Sequence, residues 1–206
     1  DLQHADLGYQ RELKAGAIRE QFQRLAGLDV DVTVEAVPVA QEAAADIDGL
    51  RWRTRMEFAI DPAGNAGLRG HRSHDVIELS DCLIATSNLI DSGVLDTEWP
   101  DITSVSVVDA DHPDEPVLLP TPIGEKPGQG PLVGQAVEFE DETLEYVVRA
   151  GGFWQVHAGA PQVLVDTVMR LARVSPGQKV LDLYAGAGLF TVPLALAVGE
   201  SGAVLA

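Results

Sequence analysis

The stretch Lys179-Val-Leu-Asp-Leu-Tyr-Ala-Gly-Ala-Gly-Leu-Phe-Thr-Val-Pro-Leu-Ala-Leu-Ala197 constrains the fold more than any other part of the chain. Residues 180–184 have the length and composition of a buried parallel strand, residues 185–188 of a glycine turn, and residues 190–198 of a helix. Strand, glycine turn and helix in that order open an α/β domain. Gly186 and Gly188 let the main chain approach a ligand closely, and the free N–H groups of the following helix face that position.

A dinucleotide fingerprint needs a third glycine three residues after Gly188, where Thr191 stands, so a pyrophosphate cradle is poorly supported. An S-adenosylmethionine site fits better. There the glycines admit the methionine part, and Asp182 at the strand end helps to hold its ammonium, directly or through water. The competing reading is an ordinary strand-turn-helix of any α/β protein. Upstream, Gly151-Gly152-Phe153-Trp154-Gln155-Val156-His157 leads into an apolar helical segment carrying Val163, Val165, Val168, Met169 and Leu171. Phe-x-Gln-Val, such a helix and then Leu-Asp-Leu-Tyr-Ala-Gly-Ala-Gly together resemble the RNA uracil-5-methyltransferase family of class I enzymes.

The chain has 206 residues, 46% of them hydrophobic, which is material for one or two globular domains. It begins at Asp1, and its last residues read as a strand that has barely begun, so we expect a fragment of a longer polypeptide. Two parallel strands are fewer than the four to six or so that a doubly wound domain uses to bury both faces. An acid for the ribose hydroxyls, about 20 residues beyond the turn, falls at or past the end. A net charge of −18 argues against phosphate binding over the whole surface, which depends on Lys and Arg. Locally, Arg51, Arg53 and Arg55 alternate along an expected strand and would share one face, with Arg69 and Arg72 following after a turn. That row is either an RNA-binding stripe or a solvated sheet face. A single cysteine excludes an internal disulfide framework and agrees with a reducing, cytoplasmic setting. Asp182, Pro193 and the glycines argue against a membrane span over residues 180–199.

From the start of the chain, Asp6 caps a helix running to about Ala26, with Gly27 as its stop. Residues 30–39 alternate like a strand, and residues 41–48 form an acidic linker. Strands are expected at 52–60, 66–69, 76–79, 102–108 and 117–119, a short helix within 83–94, and a turn-rich acidic loop over 109–116. A Pro- and Gly-rich loop over 121–133 precedes a last hairpin, 136–140 with 144–149. The expected architecture is an α+β central domain with an antiparallel sheet over 1–150. The start of an α/β, Rossmann-like class I methyltransferase domain follows over 151–206.

The resemblance implies more about individual residues. Gln155 matches the family glutamine that reaches the cofactor, Tyr184 an aromatic that lines the same pocket, and Phe153 a residue beside the target base or the methionine chain. Core packing is the competing reading for Phe153 and Trp154. Residues 1–10 look like the segment that follows a Cys-Gly-Gly-Cys run in members bearing a [4Fe-4S] cluster, and Cys82 in Asp81-Cys82-Leu83-Ile84 sits where a fourth ligand stands. Leu83 replaces the usual proline, and a lone Cys is otherwise a small buried hydrophobe. His157 stands where the family has asparagine, and Leu189 replaces a frequent asparagine in the glycine turn.

Family members add a cysteine thiolate to C6 of uracil, transfer the methyl to C5, and remove the C5 proton with a carboxylate. Both catalytic residues are expected beyond residue 206, so the 206 residues alone should be inactive. The implied partner is RNA, ribosomal in preference to transfer, with no DNA and no membrane, and the enzyme is expected to be a monomer. A class I methyltransferase with another substrate and a non-catalytic RNA-binding module with a decayed fold are the competing functions.

Overall fold

The computed structural model describes residues 4–39 and 49–206, which divide into two compact units, Asp1–Pro38 and Val39–Ala206. In the first, helix α1 (Leu7–Ala26) has the bounds its sequence dictates. The Asp6 carboxylate accepts the N–H of Tyr9 at 2.9 Å, satisfying one of the free amides of the first turn. At the other end Gly27 takes φ 67°, a conformation open to glycine at little cost, and its N–H donates back to the Gln23 carbonyl. The strand expected over residues 30–39 does not form. Val30, Val32 and Val34 are half-buried between exposed neighbours, so the alternation is real, but no ladder partner is present among the described residues. The acidic linker expected over residues 41–48 lies outside the described residues.

The second unit opens with a five-stranded antiparallel sheet. Its strands are β1 (Arg55–Ile60), β2 (Ala66–Arg69), β3 (Val76–Glu78), β4 (Ile102–Val108) and β5 (Val117–Pro122), in spatial order β3-β2-β1-β4-β5. The β1–β2 turn is organised by Asp61, whose Oδ1 accepts the amides of Ala63 and Asn65 at 2.8 Å each. Pro120 and Pro122 fall in β5, an edge strand, where a missing N–H costs no ladder bond. Helix α2 (Ser87–Asp91), capped by Thr86, lays Leu89 on the sheet. Met56, Phe58, Val105 and Val107 meet Leu89 and Val94 in one core.

A hairpin of β6 (Leu132–Phe139) and β7 (Glu142–Arg149) follows, then helix α3 (Ala160–Ala172). Alternation puts Val133, Gln135 and Val137 of β6 and Leu144, Tyr146 and Val148 of β7 on the buried side. The apolar members join Trp154, Val165 and Leu189 in a second core. Residue 150 therefore lies inside a core that continues from the hairpin into the segment after it.

The chain ends in β8 (Lys179–Leu181), helix α4 (Thr191–Val198) and β9 (Ala203–Leu205). β8 and β9 pair in parallel, Val180 opposite Val204, as the sequence predicts. β8 stops three residues short of the expected end, because after Asp182, whose N–H still donates to Leu205 O, the chain turns away and Tyr184 takes φ 63°. Among the described residues no helix is long and apolar enough to cross a membrane.

Candidate functional site

Residues 150–158 are held along their length by the strand entering β1. The Thr54 N–H donates to the Val156 carbonyl at 2.8 Å and its hydroxyl to the same oxygen at 3.2 Å, while the Ala158 N–H donates to Trp52 O at 2.8 Å. On the opposite edge, the amides of Arg51 and Arg53 donate to Leu83 O and Ile84 O, and Thr86 N returns to Arg53 O. Residues 51–54 thus run between two neighbours, 83–86 and 156–158. This placement fixes the 153–155 segment on the scaffold without a regular strand of its own.

Along that segment the side chains separate. Trp154 is buried, its ring tilted against Tyr146 at a centroid distance of 5.3 Å. Its neighbour Phe153 is 80% exposed, so the core-packing role belongs to Trp154 alone. Gln155 is half-buried, and its amide makes no hydrogen bond among the described residues. It lines a cleft of about 180 Å³ with Thr54, Thr86, Asp109, Gln135 and His157.

The glycine turn attaches to the same core. Tyr146 donates its hydroxyl to Leu189 O at 3.1 Å, so one buried tyrosine contacts Trp154 on one side and the turn on the other. Burial raises the Tyr146 pKa, which keeps this donor protonated. Asp182, at the end of β8, is buried and accepts the hydroxyl of Thr191 through Oδ2. Gly186 and Gly188 take φ 59° and 84°, and Tyr184 is fully exposed. Tyr184, Gly186 and Gly188 thus form one exposed loop. The neighbours Trp154 and Leu189 share a core, but Gln155 opens on the cleft described above, whose walls do not include the turn.

The three arginines do not share a face. Arg51 takes φ 51°, which breaks the alternation, and its guanidinium makes a two-pronged ion pair with Asp81, Nη1 to Oδ1 at 2.8 Å and Nη2 to Oδ2 at 2.6 Å. The hydrogen bonds and charge of Arg51 hold the Asp81 carboxyl below the usual carboxylate range and raise the Arg51 pKa in turn. Arg53 donates Nε to Arg55 O and lies 5.9 Å from the Trp52 ring. Arg55 is buried, with Nη1 on the carbonyls of Ala150 and Gly152. Arg69 and Arg72 are exposed.

Cys82 is half-buried in the turn that Arg51 clamps, its carbonyl accepting Arg51 Nη1 at 3.0 Å. No group of three or more His, Cys, Asp or Glu side chains able to hold a metal converges among the described residues. The donors at Cys82 therefore supply one thiolate of the four that a cluster takes.

His157 stacks on Trp52, ring centroids 5.2 Å apart, and its Nδ1 accepts the Gly159 N–H at 3.2 Å ahead of α3. Burial lowers its pKa. A folded-state pKa below that of the unfolded chain gives stability that is complete above pH ~6.5 and is lost as pH falls through the folded value. Thermal melts from pH 8 to 5 should show this loss, and His157→Asn should flatten it; equal slopes would contradict the assignment. Thr54, Thr86, Asp109 and Gln135, which also line the cleft, carry no spacing signal, because four separate elements bring them together.

No family model matches the chain. It is 37% identical over its whole length to an uncharacterized RNA methyltransferase of Streptomyces coelicolor, covering 50% of that protein. The chain resembles the RNA uracil-5-methyltransferase family along its length. A further relative is the 23S rRNA uracil-C5 methyltransferase RlmD of Halomonas elongata, 27% identical over 99% of this chain and 50% of that protein. The chain spans about half the length of these family members. Its fold is similar to the crystal structure of the Pyrococcus abyssi tRNA (uracil-54, C5)-methyltransferase in complex with S-adenosyl-L-homocysteine. That likeness has a TM-score of 0.59 at 18% identity, over 95% of this chain and 55% of the other.

Proposed function

We propose that the full-length protein methylates C5 of a uridine in ribosomal RNA, with S-adenosylmethionine as methyl donor. The observation that carries this reading is the anchored Phe153–Gln155 segment, with an exposed ring and an uncommitted amide, joined through Tyr146 to the glycine turn. The similarity over the whole chain to RNA methyltransferases supports it, and RlmD, named for 23S rRNA, favours ribosomal RNA. Residues 151–206 are the opening of a Rossmann-like catalytic domain, and the α+β region before them is the RNA-facing part.

Gln155 hydrogen-bonds the cofactor, Tyr184 covers it, and Gly186 and Gly188 leave room for the methionine part. Asp182 sits at the strand end with Oδ1 unspent, free to accept from the ammonium or from a bridging water. Phe153 offers its ring to the target base. Arg53 keeps its Nη groups for RNA, and Arg69 and Arg72 are exposed; Arg51 and Arg55 would first have to leave Asp81 and the two carbonyls. In the full enzyme a cysteine thiolate adds to C6, C5 takes the methyl, and loss of the C5 proton to a base expels the thiolate.

The test is transfer of labelled methyl from S-adenosylmethionine to total RNA by full-length protein purified without oxygen, with iron measured on the same sample. Label in 5-methyluridine supports the reading, and no label on any RNA favours a non-catalytic RNA-binding module. Iron at about four atoms per chain assigns Cys82 to a cluster, and its absence returns Cys82 to packing.

A further inference from the structure

Arg55 is 9% exposed, yet none of the ion pairs among the described residues involves it. Its Nη1 donates to Ala150 O at 2.9 Å and Gly152 O at 2.8 Å, while Nε and Nη2 are buried without a partner. Burial lowers its pKa, the expected direction for a cation taken out of water. A buried charge with two neutral acceptors and no counter-ion is a poor device for stability, since desolvation of a guanidinium costs several kcal/mol. The two carbonyls it does hold are therefore informative. They flank Gly151, whose added Cβ would lie 2.5 Å from Gly128 O, so the turn is already pressed against the 128–129 main chain. Phe153 and Gln155 follow directly. The amides of Ala150, Gly151 and Gly152 donate to Pro131 O, Gln129 O and Arg149 O, all within the hairpin's own neighbourhood, while Thr54 to Val156 O and Ala158 to Trp52 O act after Gln155. Arg55 is the side chain that ties down the approach from the other end.

We propose that Arg55 is a positioning residue: it fixes the Ala150–Gly152 turn and thereby sets where Phe153 and Gln155 project. This rests on the methyltransferase reading above. It also moves Arg55 from an RNA-facing row to an interior role, linking the β1 sheet to the segment that meets cofactor and base.

The test compares full-length wild type with Arg55→Met and Arg55→Lys. Methionine keeps the apolar stem and removes a buried charge that has no counter-ion, so its Tm stays within about 3 °C of wild type. Its kcat/KM for S-adenosylmethionine falls about 10- to 100-fold, as a misplacement on the order of 1 Å does. Amide exchange over residues 151–157 quickens in the same variant, a readout that needs no activity. Lysine, which can still donate to both carbonyls, restores most of the rate. Unchanged exchange over 151–157 with unchanged kcat/KM in Arg55→Met would overturn the proposal. A loss of Tm with normal turnover per folded molecule would overturn it too, leaving Arg55 a merely structural residue. Absence of methyl transfer by the wild type would strike at the functional reading instead, while the exchange result would still decide the role of Arg55.

Discussion

Gln155→Leu in the full-length protein is expected to lower kcat/KM for S-adenosylmethionine by about 10- to 100-fold while leaving Tm within about 2 °C of wild type. The size follows from losing one hydrogen bond to a charged ligand, on the order of 1.5–3 kcal/mol. The silence in stability follows from the structure, because the Gln155 amide makes no hydrogen bond among the described residues and so leaves nothing unpaired when removed. Leucine keeps nearly the same volume beside His157 and Pro161 in the cleft wall. Steady-state kinetics together with a melt separate the two effects. An unchanged kcat/KM would remove Gln155 from the cofactor site, and a large fall in Tm would show that the side chain is structural.

Phe58→Ala gives the complementary result: stability falls by about 3–5 kcal/mol. Phe58 is fully buried at the centre of β1, opposite Val105 of β4, and packs in the core that Leu89 and Val94 close from the other side. Truncation leaves a cavity in a layer whose backbone is held by ladders on both edges, so collapse cannot fill it. Denaturant unfolding checks the figure through the midpoint at constant m. A loss below about 1 kcal/mol would mean that the sheet relaxes around the gap, and the packing described for this core would be wrong.

What could be read from the sequence depended on how local each signal was. The ends of α1 were legible because Asp6 and Gly27 act on amides and carbonyls within a few residues of themselves. The β6–β7 hairpin and the parallel β8–β9 pair were legible because alternation and a short apolar run report a buried face directly. Alternation over residues 30–39 reports a face but not a neighbour, and without a neighbour there is no strand. The arginine row failed for a related reason. Spacing places Arg51, Arg53 and Arg55 on one face of an ideal strand, but Arg51 leaves the extended region and the 150–158 chain closes over Arg55. Neither event has a local signature. Phe153 and Trp154 could not be told apart from composition, since which of two adjacent aromatics turns inward is decided by the core around Tyr146 and Leu189, outside the pair itself.

The activity proposed for the full-length protein is the making of 5-methyluridine. Its most direct test is nucleoside mass spectrometry of ribosomal RNA incubated with the full-length protein and S-adenosylmethionine, beside the Gln155→Leu variant. New 5-methyluridine is expected at a single site with wild type, and a much slower appearance with the variant. No gain in 5-methyluridine, or methyl groups on another base, would contradict it.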